Sequence, residues 1–176
     1  MLNISRVRFL GAGTALAAFG PALLTPFIAA AAQASEGDVK ILNVALALER
    51  AGIKAYQDSA KTGLLSPSVL AVAKGFMSDH IAHRDALIGA IKAAGQTPTS
   101  ETTKVAYPTL ASESDILKFA QGVEKGAVTT YLSVIASFTD RSLAKVAASI
   151  LGVEATHVST LAAALKEAAP YRGFVS

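Results

Sequence analysis

The sequence predicts an all-α fold, namely an antiparallel four-helix bundle made of two helical hairpins joined by a long crossover. Four stretches of the 176-residue chain carry apolar residues at three- and four-residue steps, the spacing of one helix face. No stretch shows sustained alternation of apolar and polar residues, so no strand is predicted. The gaps within each pair of stretches are short and the middle gap is long, which favours two hairpins and a crossover.

The first two helices have recognisable ends. We predict α1 over residues 39–60 and α2 over residues 67–94, each with an apolar stripe. Gly63 is expected to close α1, and Ser66 is an N-cap followed by a proline in the first turn of α2. Gly95 is the natural C-cap of α2.

The last two helices follow a broken segment. Residues 96–111 contain two prolines and are too polar to form a fifth helix, so we assign them to the crossover. Ser112 begins a weak relative of a capping box at the start of α3, which is predicted to reach Phe138. Asp140 caps α4, which is expected to continue until Pro170.

The first 34 residues are predicted to be an export signal. No charge occurs over residues 9–35, and this apolar run follows Arg6 and Arg8 and ends in a small-x-small sequence at Ala34. This pattern is typical of a signal peptide cut after Ala34. Residues 35–170 would then form the bundle and residues 171–176 a C-terminal tail.

The predicted location is periplasmic or otherwise extracytoplasmic, without stable membrane insertion after cleavage. The alternative is a membrane anchor with an uncleaved signal, because the apolar run is long enough to span a bilayer. Residues 5–10 resemble a twin-arginine signal with Val7 in place of the second arginine, so the export route stays open.

The amino-acid composition of the chain excludes several functional classes. Hydrophobic residues make up 52% of the chain and cysteine is absent, so a core can form while disulfide and cysteine-ligated metal chemistry are excluded. Without Arg6 and Arg8, 14 basic residues stand against 13 acidic ones, so nucleic acid is not an expected partner. Glycine-rich phosphate loops and a nucleophile triad are not found in the sequence either.

The two predicted hairpins repeat each other. Rare polar residues recur at offsets of 75 or 74 residues: Glu49 and Tyr56 match Glu124 and Tyr131, and His80 and His83 match Glu154 and His157. A nearly constant offset indicates a duplicated hairpin with pseudo-twofold symmetry.

Six polar residues lie on stripes that should face the core: Glu49, His80, His83, Glu124, Glu154 and His157. A buried carboxylate is costly unless it is neutralised, paired or bound to metal. Three glutamates and three histidines that converge inside a bundle are suitable ligands for divalent metal. Each residue alone could instead be a hydrogen-bonded core residue, and Glu49 could pair with Arg50 or Lys54.

Four neighbouring polar residues are given other roles. Tyr56 and Tyr131 lie about 10 Å along their helices from the glutamates, so we interpret them as core or supporting residues. Asp79 and Asp85 point about 100° or 200° away from the adjacent histidines, and we expect them at the solvated surface.

Over residues 39–169 the chain resembles the ferritin-like superfamily of di-metal carboxylate proteins, in particular small exported bacterial ferritin-like domain proteins related to plant desiccation-related proteins. The stretches LNVALALERAGIKAY, HIAHRDAL and ILGVEATHVSTL carry this resemblance. It implies that Glu49 and Glu124 are terminal carboxylate ligands, His83 and His157 terminal imidazole ligands, and Glu154 a bridging carboxylate.

The sequence departs from the family pattern at His80, where the family has its other bridging glutamate. A carboxylate can span two metals with two oxygens, whereas a neutral imidazole normally offers one lone pair. Three carboxylates also leave two divalent ions with a net charge of +1. We therefore expect one of the two metal positions to be weakened.

The leading functional hypothesis is an exported metal-binding protein that holds one or two transition-metal ions in the bundle core, with oxidase or ferroxidase activity as the finer expectation. The sequence does not choose among Fe, Mn and Zn. The alternatives are a structural or stress-associated bundle with a vestigial metal site, and an interaction protein that uses an exposed face. The oligomeric state, including a homo-oligomer, stays open.

Overall fold

The computed structural model describes residues 34–167 and shows four α-helices. They are α1 (Glu36–Lys61), α2 (Pro67–Ala93), α3 (Glu113–Ile135) and α4 (Arg141–Ala164). No strand occurs among the described residues. Extensive contacts join α1 to α2 and α3 to α4, and α1 also contacts α3. The predicted all-α four-helix bundle is confirmed, while the export signal and the C-terminal tail lie outside the described residues and stay predictions.

The crossover runs along the surface of α1. The Thr99 N–H donates to Asn43 Oδ1 at 2.7 Å, and the Thr103 N–H donates to the Ala47 carbonyl at 3.0 Å. Further along, the Tyr107 hydroxyl donates to Asp58 at 3.0 Å. The connection therefore follows α1 from its first third towards its C-terminal end, as the length of this segment predicts.

Local side-chain signals define the helix starts. Ser35 and Asp38 form a reciprocal capping box at α1, which the sequence analysis did not identify. Ser112 and Asp140 cap α3 and α4 as predicted. Ser66 lies at the N-cap position of α2, but its side chain makes no capping hydrogen bond. Its backbone N–H donates instead to the Glu113 carboxylate at 2.5 Å.

Two glycines and one lysine mark helix ends. Gly63 and Gly95 follow α1 and α2 with φ of 71° and 73°, the left-handed conformation that favours glycine. After α4, Lys166 adopts the same conformation with φ of 57°. Its N–H and that of Glu167 donate to carbonyls of the last turn. α4 therefore ends at Ala164 rather than continuing until Pro170, which lies outside the described residues.

α3 also ends earlier than predicted, at Ile135 instead of Phe138. Phe138 lies in the turn to α4 and packs against the apolar core. The next residue, Thr139, donates its backbone N–H to Asp38 Oδ1 at 2.7 Å. This hydrogen bond to the start of α1, together with the Asp140 cap of α4, ends α3 at Ile135, although the apolar spacing continues to Phe138.

The core consists of two apolar layers with polar residues between them. One layer packs around Leu42, Leu46, Ile91 and other buried residues near the start of α1. The second contains Tyr56, Ala73, Leu117, Ala120 and Leu161, near its end. α4 has the length and composition of a membrane-spanning helix, but core helices of soluble proteins share these properties. The buried polar residues therefore lie between two apolar layers.

Candidate metal centre

The six predicted ligands meet in the middle of the bundle. They form two groups, in each of which four donor atoms lie within 4.8 Å of one another: Glu49, His80, His83 and Glu154, and His80, Glu124, Glu154 and His157. His80 and Glu154 belong to both groups. These are the two positions to which the sequence resemblance assigns bridging ligands.

The donor atoms are buried and incompletely paired. Glu124 and Glu154 are fully buried, Glu49, His80 and His157 nearly so, and the side chain of His83 is 13% exposed. Five buried atoms have no hydrogen-bond partner among the residues that the structure describes: His83 Nδ1, Glu124 Oε2, both carboxylate oxygens of Glu154, and His157 Nδ1. Such atoms are rare in folded proteins because each loses its hydration. Oxygen and imidazole nitrogen are ligands for divalent transition metals, so the residues fit a metal site.

Glu154 is placed to serve both groups. Its Oε1 lies 3.0 Å from His83 Nδ1, and its Oε2 lies 3.3 Å from His157 Nδ1. Each oxygen therefore faces the terminal histidine of a different group. His80 is placed differently, because its Nδ1 lies 2.7 Å from Glu49 Oε2 and its Nε2 lies 3.4 Å from Glu124 Oε1.

The proximity of the carboxyl groups changes the protonation of the imidazoles. Burial disfavours a charged His83, but the nearby carboxylates of Glu154 and Glu49, whose oxygens lie 3.0 Å and 3.6 Å from His83 Nδ1, outweigh it and raise the His83 pKa to about 9. The His157 pKa rises to about 10 in the same way, since Asp79 and two glutamates outweigh burial. The Glu49 pKa is lowered to about 2, because His80 and His83 outweigh the effect of burial. In the metal-free protein, three imidazoles thus face three carboxyl groups.

We expect the stability of the metal-free protein to fall at alkaline pH. The folded-state pKa values of His83 and His157, about 9 and 10, lie above the ordinary 6.5. Their stabilisation is therefore fully present below about pH 6.5 and is lost as the pH rises through those values. Glu49 has the opposite pH dependence, because its folded-state pKa of about 2 lies below the ordinary 4.5. It stabilises the folded protein above about pH 4.5, and this stabilisation is lost as the pH falls towards 2.

Urea unfolding in the presence of a chelator measures this dependence. The free energy of unfolding should be greatest between about pH 4.5 and 6.5 and fall by more than about 1 kcal/mol by pH 10. A free energy that does not change between pH 6 and 10 would show that the imidazoles are neutral in the folded protein.

Two buried tyrosines support the glutamates across the pseudo-twofold axis. The Tyr56 hydroxyl on α1 donates to Glu124 Oε1 on α3. Conversely, the Tyr131 hydroxyl on α3 donates to Glu49 Oε1 on α1 at 2.5 Å. Each tyrosine thus holds the glutamate of the other hairpin rather than its own. Both hydroxyls bind carboxylates of predicted ligands, which agrees with the supporting role predicted from the sequence.

Gly52 is a site residue that the sequence analysis did not identify. A Cβ atom at this position would lie 2.9 Å from Cε1 and Nε2 of His80, closer than side-chain packing allows. The repeat offset of 75 places Ala127 at the matching position on α3, and Glu154 matches His80. The hairpin with the imidazole therefore has glycine where the hairpin with the carboxylate has alanine.

Asp79 was predicted to be a solvated surface residue, and this is wrong. Its Oδ2 lies 3.1 Å from His157 Nε2, and its side chain is 24% exposed. A carboxylate on one imidazole nitrogen leaves the other nitrogen for a metal, and His157 Nδ1 faces Glu154. Phe76 also stacks on the His157 ring with 3.8 Å between ring centroids. Asp79 and Phe76 thus fix the orientation of His157.

The other polar neighbours do not reach the site. Asp85 pairs with Arg84 and is exposed, as predicted. Arg50 donates to the carbonyls of Thr99 and Glu101 in the crossover. Lys54 pairs with Asp58 at 2.6 Å. The alternative that Glu49 is neutralised by Arg50 or Lys54 is therefore wrong.

Comparisons with known proteins agree with this architecture. The model of the family described as "Ferritin-like domain" matches residues 37–167. Among solved structures, the ferritin-like, diiron-carboxylate proteins from Bacillus anthracis str. Ames are 21% identical, with a TM-score of 0.65 over 74% of this chain and 99% of theirs. BfrA from Mycobacterium tuberculosis is 16% identical, with a TM-score of 0.68 over 76% of this chain and 86% of its own.

A conserved hypothetical protein from Mycobacterium tuberculosis is similar to the same extent. It is 22% identical, with a TM-score of 0.67, and the alignment covers 79% of this chain and 97% of the other. No curated protein sequence matches the chain. At these identities the structural likeness shows a shared fold.

Proposed function

Since the chain belongs to the ferritin-like domain family, we propose that its bundle holds one or two transition-metal ions, with iron as the first candidate. The observation that carries the proposal is the pair of overlapping donor groups, in which five buried atoms lack hydrogen-bond partners among the described residues. The choice of iron is supported by the diiron-carboxylate proteins among the structural neighbours.

The geometry assigns each residue to one ion or to both. Glu49 and His83 would hold an ion in one group, Glu124 and His157 would hold one in the other, and Glu154 faces both. A redox-active metal held there would supply the electron transfer that oxidase or ferroxidase activity requires. The tyrosine hydroxyls hold Glu49 and Glu124 in place, and Asp79 holds His157.

We expect the two ions to bind unequally. Glu154 directs one oxygen to each group, whereas both nitrogens of His80 lie near terminal glutamates. An imidazole gives one lone pair to one ion and cannot span two as a carboxylate does. The protein should therefore bind one ion tightly and a second weakly.

Metal titration of the chelator-treated protein tests this proposal. One equivalent of Fe(II), added without oxygen, or of Zn(II) should bind tightly, and binding should raise the melting temperature. At a free metal concentration 100 times the dissociation constant, stabilisation is about 2.7 kcal/mol. Elemental analysis of protein folded in its own host identifies the metal. If melting does not respond to any metal, the alternative of a structural or stress-associated bundle with a vestigial site replaces this proposal.

We also propose that the mature protein is exported and begins at Ser35. The described bundle supports this boundary, because Ser35 is the N-cap of α1 and forms a capping box with Asp38. Mass spectrometry of the native protein should find Ser35 at the N-terminus in an extracytoplasmic fraction. An intact Met1 in a membrane fraction would establish the anchor instead.

A further inference from the structure

A cavity of about 310 Å³ lies beside the candidate metal centre, at the end of the bundle that contains the end of α1. All four helices contribute to its wall, including Tyr56, Phe76, Leu117 and Leu161. Tyr56 donates to Glu124, and Phe76 stacks on His157. Two side chains of the cavity wall therefore touch metal-site residues directly, and the cavity is separated from the donor groups by one layer of side chains.

The wall is apolar and uncharged. Among the described residues that line it there is no aspartate, glutamate, lysine, arginine or histidine. The Thr160 hydroxyl donates a hydrogen bond to the Thr156 carbonyl at 2.9 Å, and the Tyr56 hydroxyl donates to Glu124. Neither hydroxyl proton is therefore free for a ligand. Two serines also line the cavity: Ser59, whose side chain is buried, and Ser68, which is exposed. A charged molecule would find no oppositely charged partner in this wall, and burying a charge without a partner is costly. The cavity therefore favours uncharged molecules.

The size of the cavity fits a small organic molecule. An apolar cavity of about 150 Å³ is large enough for benzene, and ligand pockets begin at about 300 Å³. We propose that the cavity binds an uncharged apolar small molecule, of the size of a fused aromatic ring pair or a medium-length alkyl chain, next to the metal centre.

Binding of N-phenyl-1-naphthylamine, an uncharged probe that fluoresces in apolar sites, tests this proposal. The full-length mature protein should give a saturable, one-to-one increase in fluorescence. 1-Octanol or naphthalene should displace the probe. The measurement is made both with chelator and with zinc, so that the result does not depend on whether the metal proposal is correct.

Two variants fill the cavity from different helices. Ala73→Leu on α2 and Ala120→Phe on α3 place larger side chains in the wall and should each weaken probe binding at least tenfold. Ala71→Leu lies on the exposed side of α2 and is the matched control, for which binding should not change. Circular dichroism melting confirms that each variant is folded, and two independent positions guard against a local packing defect in one.

Three results would overturn the proposal. The first is the absence of saturable binding, and the second is equal affinity in the wild type and both filled variants, which would place the probe elsewhere. The third is binding only by a variant that ends at Glu167. That result would mean that residues 168–176 of the chain itself take the place of an external ligand.

Discussion

Glu154→Ala is expected to lower the metal affinity by about 100-fold or more, and to cost more affinity than Glu49→Ala, because Glu154 belongs to both donor groups. Removing one partner from a buried charged set costs about 3 to 5 kcal/mol, and each 1.4 kcal/mol is about tenfold in affinity. Glu154 belongs to both donor groups and both its oxygens lack hydrogen-bond partners, whereas Glu49 belongs to one group only.

Zinc competition against a chromophoric chelator measures both affinities. Glu154→Gln keeps the side-chain shape and should show nearly the same loss, which separates the missing ligand from a packing defect. Asp85→Ala removes an exposed carboxylate on α2 and should leave affinity unchanged. If Glu49→Ala costs as much as Glu154→Ala, the two donor groups do not share Glu154.

Gly52→Ala is expected to lower metal affinity by about 10- to 100-fold, the range for residues that orient metal ligands. Alanine in a helix interior normally stabilises by about 0.5 to 1 kcal/mol relative to glycine. Here the added Cβ would lie 2.9 Å from the His80 ring, so the imidazole must leave its position between Glu49 and Glu124. The steric effect should therefore outweigh the gain in helix propensity.

A double-mutant cycle makes this prediction specific. His80→Glu gives the site a fourth carboxylate and should raise the affinity for the second ion. Adding Gly52→Ala to that variant should lower metal affinity only slightly, because the imidazole ring of His80 is no longer there. Gly122→Ala, where an added Cβ meets nothing within 4 Å, is the matched control. Equal losses from Gly52→Ala with and without His80→Glu would show that Gly52 does not make room for the imidazole. Iron titration and oxygen consumption follow both steps.

Much of the site could be predicted because polar residues are rare on the apolar stripes of this chain. Glu124 and Glu154 stand out there, and helical spacing shows that they face inward. Spacing along one helix does not show which side chain of another helix will be reached. The exchange of Tyr56 and Tyr131 between hairpins and the contact of Asp79 with His157 depend on such distances between helices.

Gly52 was missed for a different reason. In an alanine-rich helix a glycine looks like one more small residue, and its role depends on the ring that packs against it. The repeat did contain a signal, since the offset of 75 pairs Gly52 with Ala127. The early helix ends were missed because apolar spacing continues through Phe138, while the hydrogen bond from Thr139 to Asp38 comes from a distant part of the chain.

The composition of the two donor groups also bears on how the protein opens. Each group takes three residues from one hairpin and a single residue from the other, Glu154 in the first group and His80 in the second. An ion in either group would therefore act as a clasp between the α1–α2 and α3–α4 halves. While an ion is bound, the two halves could separate only by releasing it. Slow amide exchange across the bundle core would therefore report the lifetime of the bound metal.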